Sequence, residues 1–349
     1  MTRVGVLVGE NNWLFVKPIY DDLVAHFHTT LFQPKRYRLG IGSSRVNRWA
    51  HHRGLRALMG SSDVCFFEWA SELLAEASRL PKCCRIVVRL HSFELYTWAS
   101  QINWKVVDKI ILVSRAMQRA FSELYPEHAH KTVVINNGVS LKRFEYTGRR
   151  EFAFRLGMLC NLVAVKRVYE MILLLSRIRE AGHNATLRIG GKPDSGELRY
   201  AAALYRLVKE LRLQGRVEFD GYIADTSLWL QNVDIFVSHS YWEGQQVALL
   251  EAMASGCYCV AHCWAGAEEV LPEANLYVQE AELEEKVIQY SRMAVAQRKV
   301  QQKELRLLAV SRFDIEQTKA AIRQIIKEVG DWGHPSCREV TSELVQGVG

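Results

Sequence analysis

Two glutamates eight residues apart lie where a strand, a loop and a helix follow one another in the sequence. The stretch VDIFVSHSYWEGQQVALLEAMASG begins with an apolar run that ends at Ser240. It continues through a polar turn that holds Glu243 and enters a helix near Gln246 or Val247. Such a loop lies at the carboxyl end of a parallel strand, where the free amides and positive dipole of the next helix favour a phosphate group. The stretch therefore predicts a site that suits a pyrophosphate.

The pattern of the helix directs the second glutamate towards that ligand. Val247, Leu250 and Ala254 recur at spacings of three and four, which suits packing on a sheet. Glu251 falls on another face, among small neighbours. A carboxylate there can accept two hydrogen bonds from a vicinal diol such as the ribose hydroxyls, and Glu243 on the loop can do the same for a sugar ring.

Alternating strand-like and helical patterns predict the fold that holds these residues. Short apolar runs separated by helices are typical of parallel sheets flanked by helices. The first series of strands lies at residues 4–9, 64–69, 85–91, 109–114 and 132–137. A second series follows the charged stretch KRFEYTGRREF and closes with the helix FDIEQTKAAIRQIIKEVG. We predict an α/β fold of two Rossmann-like domains facing each other across a cleft, at residues 1–148 and 149–330, with a flexible tail at 331–349.

Composition agrees with a globular protein of two domains. At 349 residues and 49% hydrophobic, the chain is long enough for two cores and unlike a disordered protein. No run approaches the roughly 18 to 20 apolar residues of a membrane-spanning helix. The opening MTRVGVLVGE enters a strand-like pattern rather than a signal peptide, so we expect a cytoplasmic protein.

The cysteines do not predict a metal site. Eight cysteines are sparse in a chain of this length, and reduced thiols are expected. One cluster is metal-like in its residue types but matches no familiar zinc spacing: Cys257, Cys259, His262 and Cys263.

The residues EGQQVALLEAMASG resemble the E-x7-E signature of the retaining family 4 glycosyltransferases, which have the GT-B fold. The resemblance implies that Glu243 contacts the sugar of a nucleotide-sugar donor and that Glu251 contacts its ribose. The plainer alternative is two acids near a helix start, where acids are favoured in any case. The segment GMLCNLVAVKRVYEMI is similar to the family's glycine and Lys-Gly or Lys-Arg segment. It implies that Lys166 neutralises the departing β-phosphate, although a plain surface lysine is the alternative.

Two departures from the family pattern concern the donor. Met158 stands where relatives place an arginine, and Arg167 is the candidate to replace it. Gln245 and Gln246 stand where Phe and Gly are common. The stretch RVEFDGYIADTSLWLQNVDIFV is similar to the family's base-lining segment. The donor-binding residues implied by the resemblance are Glu251, Arg167, Gly244, Gln245, Gln246, Val247, Gly221, Tyr222 and Ile223.

The N-terminal half contributes weaker signals. His91 ends the predicted strand RIVVRLH, a position similar to the family histidine that reaches the donor sugar, and a structural role is the alternative. With Glu243 and Lys166 it completes the predicted catalytic set. Gly9 alone remains of a glycine-rich loop, so candidates for acceptor contact are Asn11, Asn12 and Glu94. The segment VVINNGVSLKRF resembles the family's Asn-Gly-Val hinge, with no catalytic role.

The positive charge is concentrated in one segment. The net charge is +7, and residues 35–56 hold seven Lys and Arg residues without a carboxylate. We predict contact with anionic lipid headgroups or a phosphorylated glycan carrier, with a solvated basic face as the alternative. Nucleic acid is not expected, because no binding module accompanies the charge.

The family resemblance implies a retaining glycosyltransferase that acts in glycan, polysaccharide or glycolipid synthesis on a small-molecule, glycan or lipid-linked acceptor. The resemblance implies front-face chemistry in which the leaving diphosphate helps deprotonate the acceptor. No Asp-x-Asp element is present, so neither a metal nor another cofactor is expected. The alternatives are a sugar-nucleotide epimerase of the same fold and a non-catalytic subunit. A dehydrogenase is disfavoured because no G-x-G-x-x-G follows a strand.

Overall fold

The computed structural model describes residues 1–9, 13–33, 43–146, 148 and 151–333. The chain forms two compact units. The first unit contains residues 1–135 together with the chain from residue 317, and the second contains residues 136–316. Within the described ranges, no helix is both long enough and apolar enough to cross a membrane.

The described residues of the first unit form a parallel sheet of six strands covered by helices. Its strands are β1 (Arg3–Val8), β2 (His28–Leu31), β3 (Val64–Glu68), β4 (Arg85–Leu90), β5 (Lys109–Leu112) and β6 (Thr132–Val134). Its helices are α1 (Trp13–His26), α2 (Ser43–Ser61), α3 (Glu72–Ala77), α4 (Ser92–Thr97) and α5 (Arg115–Leu124). The strand order is β2-β1-β3-β4-β5-β6, so the chain reverses its direction of winding between β1 and β3.

The second unit repeats this architecture. Its strands are β7 (Arg155–Leu159), β8 (Thr186–Gly190), β9 (Val217–Gly221), β10 (Ile235–Ser238), β11 (Tyr258–His262) and β12 (Leu276–Tyr277). Its helices are α6 (Val168–Glu180), α7 (Leu198–Glu210), α8 (Thr226–Leu230), α9 (Val247–Ala254), α10 (Glu280–Arg292) and α11 (Val295–Arg312). The order β12-β11-β10-β7-β8-β9 places the reversal between β7 and β10.

The strands are apolar on both faces because helices cover both sides of each sheet. Every residue of β3 is buried, as are all four residues of β10. Charged residues inside such strands need partners, and Glu68 of β3 is paired with Arg89 of β4. The prediction of an α/β fold with two Rossmann-like units is therefore confirmed.

The units divide the chain differently from the predicted boundaries at 148 and 330. Val139 and Phe144 already pack in the core of the second unit, so that unit begins near residue 136. The last helix, α12 (Ile315–Asp331), belongs to the first unit from Gln317 onwards. Its Arg323 donates to Asp22 of α1 at 2.7 Å. Of the predicted tail, residues 334–349 lie outside the described ranges.

Candidate functional site

A lysine and a glutamate meet at the reversal point of the second sheet. Lys166 ends a short helical turn (Ala164–Lys166) after β7, and Glu243 lies in the loop after β10. The Lys166 Nζ atom is 2.5 Å from Glu243 Oε1, and the Ser240 hydroxyl donates to the same oxygen at 2.7 Å. Ligands of doubly wound sheets bind at the carboxyl ends of the strands where the winding reverses. The pair therefore occupies the position where this fold holds a ligand.

The thiol beside this pair adds no charge to it. Cys160 directly follows β7, and burial raises the pKa of its thiol to about 12, although the positive charge of Lys166 partly opposes the shift. The thiol is thus protonated at neutral pH. The cation at this position is Lys166, whose side chain keeps one fifth of its surface exposed.

Glu251 lies on α9, which begins at Val247 with Gln246 as its N-cap, as the sequence predicts. The residue keeps some exposed surface. Burial nevertheless raises the pKa of its carboxyl group to about 7, and the charge of Arg143 lowers it only in part. At neutral pH Glu251 is therefore divided between its two protonation states. The positive charge that acts on Glu251 is that of Arg143, whereas Lys166 and Glu243 pair with each other.

Arg167 has partners of its own. It adopts a left-handed conformation with φ 55° at the N-cap of α6 and is only 5% exposed. Its guanidinium pairs with Glu280 and lies 4.5 Å from the ring centroid of Tyr241. Adjacent in sequence, Lys166 and Arg167 thus engage different residues, and donor contact by Arg167 remains a prediction.

A buried histidine next to Arg167 is absent from the predicted set. His239 follows β10, and its Nδ1 lies 2.5 Å from the Tyr277 hydroxyl. Burial, followed by the charge of Arg167, lowers the pKa of His239 to about 3. The ring is therefore neutral at physiological pH. The sequence signal was a histidine directly after an apolar strand, the same signal that pointed to His91.

Gln245 connects the Glu243 loop to the start of the second unit. Its side-chain Oε1 accepts a hydrogen bond from the backbone N–H of Asn137 at 2.6 Å, and its Nε2 donates to Asn136 Oδ1 at 3.2 Å. Its backbone carbonyl accepts from Asn137 Nδ2 at 3.0 Å. Both ends of the Gln245 amide are thus engaged within the protein. Asn137 belongs to the segment VVINNGVSLKRF, which was predicted as a hinge, and it also supports the loop that carries Glu243. The loop's Gly244 is buried, and Gln246 and Val247 are partly exposed at the helix start.

The residues predicted near the base lie at the edge of the second sheet. Gly221 ends β9 with φ 65°, and its carbonyl accepts from the Gly191 amide at 2.6 Å. Tyr222 is 57% exposed, with Lys192 Nζ 5.0 Å from its ring centroid. Ile223 is partly buried against the core. These positions leave the ring of Tyr222 accessible to a ligand.

His91 is oriented by a buried ion pair in the first unit. Its Nε2 lies 3.0 Å from Glu68 Oε1, which also accepts from Arg89 Nη1 at 3.2 Å. The side chains of Glu68 and Arg89 are fully buried. Glu94, predicted on the acceptor side, accepts from the His91 amide at 3.2 Å and so supports the start of α4. Asn11 and Asn12 lie outside the described residues.

In the part of the chain that the structure describes, no three His, Cys, Asp or Glu side chains are arranged to hold a metal ion.

The second unit matches a known family. Residues 153–293 match the family described as glycosyl transferases group 1. This match contains Lys166, Glu243 and Glu251, and it confirms the resemblance to glycosyltransferases, whereas the retaining mechanism stays a prediction. Among curated proteins, none matches the chain significantly in sequence.

Solved structures extend the similarity to both units. Anabaena Alr3699/HepE, solved with UDP and glucose, is 19% identical with a TM-score of 0.76 and covers 94% of this chain and 100% of its own. Sucrose-phosphate synthase from Thermosynechococcus elongatus is 15% identical with a TM-score of 0.73, and the match covers 94% of this chain and 99% of that protein. A glycosyltransferase from Rickettsia africae is 13% identical with a TM-score of 0.71, and the match covers 94% of this chain and 98% of that protein. At these identities the similarity shows the fold, which is GT-B.

Proposed function

We propose that this protein is a glycosyltransferase that moves a sugar from a nucleotide-diphosphate sugar to an acceptor hydroxyl, with retention of anomeric configuration. The observation that carries the proposal is the contact of Lys166 with Glu243 at the reversal point of the second sheet. The contact lies inside the segment that matches the glycosyl transferases group 1. Alr3699/HepE, with the same fold, was solved with UDP-glucose, which supports a nucleotide-sugar donor.

The chemistry follows from the groups that the pair presents. A donor diphosphate supplies negative charge for Lys166, and the sugar supplies hydroxyl donors for the Glu243 carboxylate. Negative charge grows on the departing diphosphate during transfer, and Lys166 stabilises it most at that point. The free amides at the start of α9 add further positive potential, since no side chain caps that helix.

The remaining residues support this arrangement. Ser240 holds Glu243, and Gln245 ties the loop to Asn136 and Asn137, so the carboxylate has a fixed position before the donor binds. We assign the ribose to Glu251 and the base to the segment 221–223. In the front-face reaction the leaving diphosphate oxygen takes the acceptor proton, so no protein nucleophile is required.

The biological setting is proposed on the same basis. We place the enzyme in the synthesis of a glycan, polysaccharide or glycolipid, with peripheral contact to an anionic membrane through residues 35–56. In the described part of that segment, Trp49 is 62% exposed and Arg53 lies 5.2 Å from its ring centroid. Flotation with liposomes that contain anionic lipid tests the membrane contact, which should weaken as salt increases.

Nucleotide release from a set of labelled nucleotide sugars, UDP-glucose among them, tests the main proposal. We expect Glu243→Gln and Lys166→Met each to lower kcat/KM by about a hundredfold or more, as loss of one group that stabilises the transition state does. Glu210→Gln and Lys209→Met on the exposed face of α7 are matched controls and should keep full activity. Product NMR reports the anomeric configuration. No release from any donor, or full activity in both site variants, would refute the proposal.

A further inference from the structure

A cavity of about 850 Å³ opens in the first unit, at the carboxyl end of its sheet. Val8 and Gly9 of its lining lie at the end of β1, Phe32 follows β2, and Ser71 lies just after β3. The winding of the first sheet reverses between β1 and β3, so the cavity lies at the position where such sheets bind ligands. Its volume falls within the range of about 300 to 1,000 Å³ that is typical of small-molecule sites.

The lining combines aromatic rings with hydrogen-bonding side chains. Trp13, Phe32 and Trp98 line the cavity and are each partly exposed. Also in the lining, His51 Nε2 lies 3.1 Å from Glu76 Oε2, and both side chains keep 28% of their surface exposed. The His51 ring meets Phe32 edge-on, with 5.3 Å between the ring centroids. An apolar wall and a polar pair thus lie side by side.

This chemistry selects one class of ligand. An apolar chain would cover His51 and Glu76 without offering them a hydrogen bond, which is costly. An anionic ligand would meet the carboxylates of Glu72 and Glu76, and Arg48 is the only Lys or Arg among the described lining residues. An uncharged sugar ring fits both the apolar wall and the polar pair. Its C–H face packs on aromatic rings, and its hydroxyls donate and accept hydrogen bonds.

We propose that this cavity binds an uncharged pyranose ring and that this ring belongs to the acceptor. The second half of the proposal rests on the proposed function. The Glu76 carboxylate accepts a hydrogen bond from a sugar hydroxyl, and Phe32 supplies the apolar surface. The cavity thus defines a saccharide acceptor.

Ligand binding to the full-length protein tests the site directly. The probes are the methyl glycosides of glucose, galactose, mannose and N-acetylglucosamine, with glucose 6-phosphate and decanol as competing classes, all measured by saturation-transfer NMR and calorimetry. We expect at least one neutral glycoside to bind more tightly than either competitor. Glu76→Gln and Phe32→Leu should weaken that binding about tenfold, whereas the exposed control Glu127→Gln should not change it.

Kinetics separate this inference from the proposed function. Glu76→Gln should raise the KM for the saccharide acceptor about tenfold, whereas the exposed control Glu127→Gln should leave that KM unchanged. A protein that releases no nucleotide but binds a glycoside in a Glu76-dependent way would refute the proposed function and keep the site. The inference is overturned if no neutral glycoside binds, if decanol or glucose 6-phosphate binds more tightly, or if both cavity variants bind as the wild type does while circular dichroism shows them folded.

Discussion

Replacing Glu251 with glutamine should stabilise the protein at high pH and leave its stability unchanged at low pH. Burial raises the pKa of this carboxyl group from its ordinary 4.5 to about 7 in the folded protein. Between these two values the unfolded chain has ionised while the folded protein still holds the proton. Stability is therefore fully present below pH 4.5 and is lost progressively as the pH rises through about 7.

The magnitude follows from the size of the shift. Each pKa unit corresponds to about 1.4 kcal/mol, so the shift lowers the free energy of unfolding by at most about 3 to 4 kcal/mol above pH 7. Water at the partly exposed side chain reduces this loss. Glutamine keeps the shape and cannot ionise. At pH 8 we expect the Glu251→Gln variant to melt above the wild type by on the order of 5 °C.

Melting curves of both proteins between pH 4 and 8 check this expectation. The exposed Glu273→Gln variant is the control and should show no gain that grows with pH. A difference in melting temperature between Glu251→Gln and the wild type that stays constant over the whole range would refute the reasoning. If Glu251 also binds the ribose as a carboxylate, wild-type affinity for UDP should rise between pH 6 and 8 relative to that of the variant.

Three further substitutions test other contacts. Gln245→Ala removes the side-chain oxygen that accepts a hydrogen bond from the Asn137 backbone N–H. We expect the free energy of unfolding in urea to fall by about 1 to 3 kcal/mol and kcat/KM for the donor to fall as well. If both values are unchanged, this contact does not have the proposed role. Glu68→Gln removes the carboxylate that lies between Arg89 and His91. Calorimetry should show that the protein is destabilised by about 3 to 5 kcal/mol. A loss below about 1 kcal/mol would show that the ion pair of Glu68 and Arg89 is not needed for stability. Gly191→Ala would place a Cβ 1.8 Å from the Cys160 carbonyl oxygen. Its melting temperature should therefore fall far more than that of Gly182→Ala, because Gly182 also has a positive φ, 88°, but has open space around it. Equal losses in the two variants would contradict the clash.

The sequence predicted the fold well because the apolar runs were unambiguous. Of the six strands described in the first unit, five were predicted within a few residues, since each is a largely apolar run in the sequence. Strand β2, His28–Leu31, was missed. Its residues HTTL alternate between exposed and partly buried, so it lacks the continuous apolar run of its neighbours. It lies at the sheet edge, where one side needs no strand partner.

The positions of the candidate residues in the fold were predictable where they depend on neighbours in sequence. Glu243 and the start of α9 follow from a strand, a loop and a helix in order, and Lys166 follows from the family pattern. The partner of each residue was not predictable. Lys166 and Glu243 are separated by 77 residues, and Gln245 and Asn137 by 108. Such contacts depend on which strands become neighbours, and periodicity carries no information about that order.

The unit boundary was not predictable for a related reason. The last helix follows the second series in sequence and has an ordinary amphipathic pattern, so nothing local indicates which sheet it covers. The cavity of the first unit was also missed. Its polar pair, His51 and Glu76, comes from two different helices, and each residue alone looks like a common surface position.

The placement of α12 has a consequence for synthesis on the ribosome. The first unit is interrupted in sequence, because residues 136–316 form the other unit before the chain returns at Gln317. A nascent chain that has reached residue 316 holds every part of the second unit but lacks the helix whose Ile322, Ile326 and Val329 are buried in the complete protein. During translation the second unit should therefore complete its fold first. The first unit, most of which is synthesised earlier, can complete its fold only after α12 has been synthesised.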